Sequence, residues 1–269
     1  MGNLRTKEKI GIILTLAMVI LFVGCSVGSD DDQEVAYKEY EDMEAAFEES
    51  DLMSANIGIF SRTEEDGSVT YGEGGSGVIV EKKDGTYYAL TCAHVVSAEN
   101  TQLLVFTIHT EMKMDHIPGV DLKIPSLETY ESMYPAETVY VSKRDDLAVI
   151  RFSADEELSV IELAESDPEI NDRIMCVGNP QNEWFAVSYG KVTSGIEKFG
   201  EAHGFPSNAM RHSAYINVGS SGGAAFNEQM QLVGITPGIS SSIDRKEFKY
   251  GVLIPASEIR ICMDEWTKQ

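Results

Sequence analysis

Beyond residue 53, apolar residues come in short runs separated by turn-forming glycine, asparagine, aspartate and proline. Runs at 55–60, 78–80, 87–91, 103–108, 138–141 and 147–152 form one set, and runs at 174–177, 185–192, 214–218, 232–235 and 250–254 form a second. Short strands at this spacing predict a sandwich or barrels, and two sets of about six predict two six-stranded antiparallel β-barrels, an all-β fold. The barrels would span about 53–160 and 161–269. Residues 72–77 read as a glycine-rich turn and Asp84-Gly85 as a hairpin turn. Residues 110–137 carry Pro118, Pro125 and Pro135 without a period, and predict a long loop. After Pro255 the period becomes helical, with Ile259, Cys262, Met263 and Trp266 on one face.

The first 24 residues follow another rule. Arg5, Lys7 and Lys9 precede an apolar run of 14 residues, 10–23, which suits a secretory signal better than a membrane span. The run ends at Gly24-Cys25, which resembles a bacterial lipobox. Residues 1–24 are expected to be a lipoprotein signal peptide and Cys25 the lipidated first residue of a protein held on the outer face of the cell membrane. An uncleaved anchor helix is the competing reading. Residues 25–52 are strongly acidic, and Ala36, Tyr40, Met43 and Phe47 recur at helical spacing. They read as an acidic tether containing a short helix, or as a disordered spacer. A formal net charge of -23 excludes a phosphate-binding surface, so nucleic acid is not an expected partner. Cys92, Cys176 and Cys262 are expected as buried thiols. The chain contains no C-x-x-C and no His/Cys spacing of a metal site, so no metal or cofactor is expected.

Serine-based acyl transfer needs a base, an acid that orients the base, and N–H groups for the oxyanion. His94 follows an apolar strand in Thr91-Cys92-Ala93-His94-Val95-Val96. Asp146 precedes one in Asp145-Asp146-Leu147-Ala148-Val149-Ile150. Ser221 lies in Asn217-Val218-Gly219-Ser220-Ser221-Gly222-Gly223, where glycines let the backbone turn sharply enough for the N–H groups of Gly219 and Ser221 to meet one oxyanion. The order His, Asp, Ser is that of chymotrypsin. The gaps of 52 and 75 residues put the first two groups in the first barrel and the serine in the second. The other histidines, His109, His116, His203 and His212, read as loop or polar positions.

From about residue 54 to 266 the chain resembles the protease domain of the HtrA/Deg family. The resemblance rests on Gly75-Ser76-Gly77-Val78, Thr91 with His94-Val95-Val96, Asp146-Leu147-Ala148-Val149, Val177-Gly178-Asn179-Pro180, Val192-Thr193-Ser194-Gly195-Ile196 and Gly219-Ser220-Ser221-Gly222-Gly223. It implies a chymotrypsin-like serine endopeptidase acting on protein or peptide substrates. It also implies a pocket for an aliphatic P1 residue lined by Ile216 and Ile239, with Tyr215 where a trypsin-like pocket carries an acid. A substrate strand would pair with Thr236-Pro237-Gly238-Ile239. Ser220 stands in place of asparagine, the stretch 110–137 is longer than usual, and no PDZ domain is expected after the last helix. The acidic N-terminal segment leaves the oligomeric state open. The alternative is a catalytically silent trypsin-like fold, a peptide-binding or chaperone-like lipoprotein.

Overall fold

The computed structural model describes residues 39–116, 123–180, 183–199, 206–241 and 248–268. The signal segment, Cys25, the first part of the acidic segment and His203 lie outside the described residues.

The described chain opens with helix α1, Glu41–Glu49. Its Met43 and Phe47 are buried in the main core, and Phe47 packs on Phe226 with ring centroids 5.8 Å apart. Tyr40 stacks on Tyr189, and Arg173 grips the helix start through both oxygens of Asp42. The expectation of a tether up to residue 52 is corrected here: from residue 39 the segment is packed onto the fold. The helical spacing of Met43 and Phe47 was legible, but the core they enter was not. Burying two large apolar side chains is worth about 1.5–3 kcal/mol each, which outweighs the helix's excess of exposed acids.

Strands β1 (Asn56–Glu65), β2 (Ser68–Lys83), β3 (Thr86–Thr91) and β4 (Thr101–Phe106) follow. Residues 72–77 are corrected from a turn to the middle of β2, which pairs with β1 from Ser68 to Val78 and with β3 beyond. Gly74 is the extra residue of a bulge there, since Ile59 pairs with Gly75 and Phe60 with Glu73. A bulge coils a strand hard enough to bend it around a small barrel. The turn proper is at Asp84-Gly85, both with positive φ as a two-residue hairpin requires.

The stretch 110–137 is likewise corrected from a loop to an ordered insertion among its described residues. It holds a short hairpin, β5 (Met114–His116) with β6 (Lys123–Pro125), and helix α2, Leu127–Ser132. The Ser126 side chain caps α2 by accepting from the Thr129 N–H at 3.3 Å. Tyr130 of α2 stacks on Tyr71 at 4.0 Å and meets the edge of Phe60. Pro135 already belongs to β7, Tyr134–Ser142, which leads to β8, Leu147–Phe152. The first barrel closes in the order β1-β2-β3-β8-β7-β4.

The second half contains β9 (Arg173–Gly178), β10 (Ala186–Lys191), β11 (Glu197–Lys198), β12 (Asn208–His212), β13 (Gly223–Phe226), β14 (Leu232–Ser241) and β15 (Phe248–Pro255). They form a seven-stranded sheet, β10-β9-β13-β14-β15-β12-β11. The sheet curls until Val192, just past β10, bridges to His212 of β12. The Thr193 N–H donates to Arg211 O and the Ser213 N–H to Lys191 O. The second half is thus a strongly curled sheet, a half-barrel whose ends meet at this seam through one bridge, with β11 as an extra strand. Its strands are partly misassigned in the sequence reading: 214–218 is irregular backbone, while Asn208–His212 and Gly223–Phe226 are strands. Ala214 and Ile216 are apolar because their side chains line the second core. Helix α3, Ala256–Thr267, buries Ile259 and Cys262 and lays Trp266 on Tyr88 of β3. It therefore spans from the second barrel to the first. One core cluster runs through both barrels, from Ile57 and Val78 to Met175 and Phe226, so the cleft between them has a continuous floor.

Candidate active site

His94 sits on a short 3₁₀ turn, Ala93–Val96, directly after β3. Its Nδ1 lies 2.8 Å from Asp146 Oδ2, and its own backbone N–H donates to Oδ1 of the same carboxylate at 3.0 Å. Asp146 thus fixes both the imidazole and its main chain. It stands at the tight turn before β8 with φ of 52°, and its carbonyl accepts from the Ala93 N–H at 3.1 Å. The neighbouring Asp145 faces elsewhere. Burial opposes its charge, but hydrogen bonds from Arg144 and Ser142 prevail and hold its carboxyl below the ordinary range. Only the fold distinguishes the roles of the two adjacent acids. The His94 side chain is 51% exposed against 16% for Asp146, so the ring's outer edge opens to the cleft.

The Ser221 loop is held across the domain boundary by the motifs noted above. Ser76 of β2 donates through Oγ to Gly219 O and through its N–H to Ser221 O, both at 2.8 Å. Ser76 Oγ in turn accepts from the Asn179 N–H at 2.9 Å, and the Asn179 side chain reaches Ile57 O and accepts from the Phe185 N–H. Thr91 Oγ1 donates to Ser76 O at 2.7 Å. Thr236 Oγ1 donates to Ser220 O and Gly223 O. Sequence reasoning saw Ser76, Thr91 and Asn179 only as parts of matched motifs. Their buried hydrogen bonds give those motifs a physical content, a clamp that sets the loop.

Gly222 has φ of 89°, and a Cβ built on it would lie 2.1 Å from Ser76 O and 2.4 Å from Thr91 Oγ1. No side chain fits where the loop meets the first barrel. Gly219, with φ of 97°, turns the chain before the serine. Among the described residues, no acceptor takes the N–H of Gly219 or Ser221. Two free N–H groups beside one serine hydroxyl are what an oxyanion hole requires. The Ser221 hydroxyl itself donates to Pro237 O at 3.1 Å.

The expected substrate-facing residues separate into groups. Ile216 is buried in the second core, with Ile239 packed on the same cluster. Tyr215 is exposed and leans on Phe248 at 5.3 Å. Thr236 differs from the expectation: its side chain is 1% exposed and serves the clamp, and its carbonyl accepts from the Gly222 N–H. The pairing of β13 with β14 stops at Gly223–Thr236, so Pro237, Gly238 and Ile239 have no strand beside them on that edge among the described residues.

A sequence profile of the trypsin-like peptidase domain matches residues 75–235. The chain is 28% identical to the periplasmic serine endoprotease DegP of Salmonella typhimurium over 187 residues, covering 69% of this chain and 34% of that protein. It is 27% identical to DegP of Escherichia coli over the same share of each chain, 69% and 34%. It is 29% identical to the serine endoprotease DegS of Haemophilus influenzae over 163 residues, 60% of this chain and 40% of that one. The chain thus spans about a third of the length of the first curated relatives it matches.

Proposed function

We propose, from the premise that this chain belongs to the trypsin-like peptidase domain family, that it is an extracytoplasmic serine endopeptidase cutting unfolded or exposed protein segments. The observation that carries the reading is the hydrogen-bonded pair of His94 and Asp146, together with a serine loop whose Gly219 and Ser221 N–H groups are free among the described residues. Ser221 attacks the scissile carbonyl. His94 takes its proton and later returns it to the leaving amine, and Asp146 holds the imidazole and stabilises its cation. The tetrahedral oxyanion rests on the Gly219 and Ser221 N–H groups. The substrate adds as a strand to the free edge at Pro237, Gly238 and Ile239, with Thr236 setting the serine loop behind it.

Ile216 and Ile239 suit an aliphatic P1 side chain, because a charged one would lose its water there without a partner. Cleavage of denatured casein, with the products sequenced, tests activity and preference together. Cuts are expected after Val, Ala or Ile, and dominant cuts after Lys, Arg or Glu would remove the pocket assignment. One observation favours a second reading, a silent peptide-binding fold: the Ser221 hydroxyl is engaged with Pro237 O, and no hydrogen bond joins it to His94 among the described residues. That reading expects no casein cleavage at all.

The relatives include periplasmic serine endoproteases, which accords with a protein working outside the cytoplasm. Anchoring through a lipid on Cys25 completes the proposal. No described helix is long and apolar enough to cross a membrane. Two acyl chains anchor stably where one is marginal, at about 0.8 kcal/mol per buried CH₂. Cys25→Ala is expected to leave the precursor unprocessed or release the protein from membranes. Mass spectrometry of the mature N-terminus checks this, and a first residue other than a lipidated Cys25 overturns it.

A further inference from the structure

Peptide hydrolysis calls for His94 and Asp146 but not for the thiol beneath them. Cys92 is fully buried, with Sγ 3.8 Å from Thr236 O at the back of the site. One ligand atom each from Cys92, His94 and Asp146 all lie within 4.8 Å of one another. The spacing Cys-x-His reveals nothing in sequence; the third donor arrives 52 residues later through the turn before β8. We propose that Cys92, His94 and Asp146 form an inhibitory site for a soft divalent cation, Zn²⁺ in the first instance, so that metal occupancy switches the peptidase off. The inference rests on the proposed catalytic roles of His94 and Asp146.

Thiolate, imidazole and carboxylate are a donor set that zinc accepts, with water as the fourth ligand. Bond lengths of about 2.0–2.3 Å put tetrahedral ligand atoms roughly 3.3–3.7 Å apart, so the set needs to contract by about 1.5 Å at most. Charge favours the ion. One dication with a thiolate and a carboxylate sums to zero, whereas a buried thiolate beside Asp146 alone would be an unpaired like charge. Binding releases the thiol proton. The ion replaces the Nδ1–H bond to Asp146, and the ring's remaining proton moves to Nε2. Nε2 is the nitrogen that must be bare to accept the Ser221 proton, so the metallated ring cannot act as base. The half-exposed imidazole offers the entry route, since that ring can swing away from Asp146.

Two measurements on the metal-free full chain test this. Co²⁺ added to the wild type and to Ser221→Ala should produce thiolate-to-cobalt charge-transfer absorption, which Cys92→Ala and Cys92→Ser should lack. Buffered Zn²⁺ should suppress hydrolysis of a fluorogenic peptide reversibly on adding EDTA. Cys92→Ala, measured against its own metal-free rate, should need at least about tenfold more Zn²⁺ for the same suppression. Cys92→Ser keeps the volume of the site if the alanine variant misfolds. Undiminished absorption in both variants, or equal Zn²⁺ sensitivity, overturns the site. The absorption of Ser221→Ala separates the two readings: a band with persistent proteolysis would remove Ser221 as nucleophile and leave the metal site standing.

Discussion

Ser221→Ala is expected to lower kcat on the order of 10⁶-fold while leaving the fold intact, and His94→Ala to cost about as much, with the double variant no worse. The reason is that the groups act in one proton transfer. A serine hydroxyl without a base is a poor nucleophile, and a base without a nucleophile has nothing to activate. What remains after either change is binding and the proposed oxyanion hole of the Gly219 and Ser221 N–H groups, which both survive. Asp146→Asn should cost less, around 10⁴-fold, because the amide still fills the turn but favours the wrong tautomer of a ring now held at 2.8 Å by the carboxylate. The fold of Ser221→Ala should persist because the loop is set by Ser76, Thr91 and Thr236 rather than by the Ser221 hydroxyl, whose one bond goes to Pro237 O. The measurement is peptide turnover by protein free of contaminating protease. Wild-type turnover by Ser221→Ala would remove the serine from the mechanism.

Acidification is expected to loosen the second barrel at His212. This side chain sits on β12 with no exposed surface, and neither ring nitrogen has a hydrogen-bond partner among the described residues. It fits because β12 pairs it with Gly251, where a Cβ would lie 2.1 Å from the ring. Burial pushes its pKa down to about 4, with the backbone groups of Val252 and Ala214 opposing the shift only in part. The unfolded chain therefore binds this proton more readily than the folded one. The stabilisation is complete above the ordinary histidine value and is lost as pH falls from about 6.5 toward 4. Between pH 7.5 and 4.5 this one group should remove about 2–3 kcal/mol. Urea unfolding of wild type and His212→Leu at the two pH values checks the sign. The variant should lose less stability on acidification, because the carboxylates that titrate alongside are common to both. Equal losses would mean that His212 is not the source.

The strand that carries His212 is also hard to see in the sequence. In sequence His212 has the setting of a loop or polar position, because Arg211, Ser213 and the apolar run at 214–218 obscure the period of β12. The run is apolar for another reason, since Ala214 and Ile216 face the second core from irregular backbone. β13 was missed for a related reason: Gly223-Ala224-Ala225 has small residues and no branched side chain, yet all of it is buried between β9 and β14. A strand in the middle of a barrel needs neither alternation nor bulk. The insertion at 110–137 hid a helix because its few residues fall below what periodicity can resolve, and its stability comes from Tyr130 meeting Tyr71 and Phe60.

By itself, the sequence determined the strand-rich pattern, the two halves and the terminal helix face, and it singled out His94, an aspartate at 145–146 and Ser221 as the candidate reacting residues. Each of these is written locally, in runs of apolar residues, in Asp-Gly and Gly-x-Ser-Gly turn chemistry, and in the order His, Asp, Ser. The tertiary structure decided what depends on residues far apart in the chain. It chose Asp146 over Asp145 by pointing one carboxylate at His94 and the other at Arg144. It turned Ser76, Thr91, Asn179 and Thr236 into a clamp, drew Met43 and Phe47 out of an acidic segment into the core, and set Cys92 close to His94 and Asp146. Local propensity is set by neighbours within a few residues, whereas burial and hydrogen-bond pairing are settled only when a barrel closes and distant strands are brought to within a few ångströms of one another.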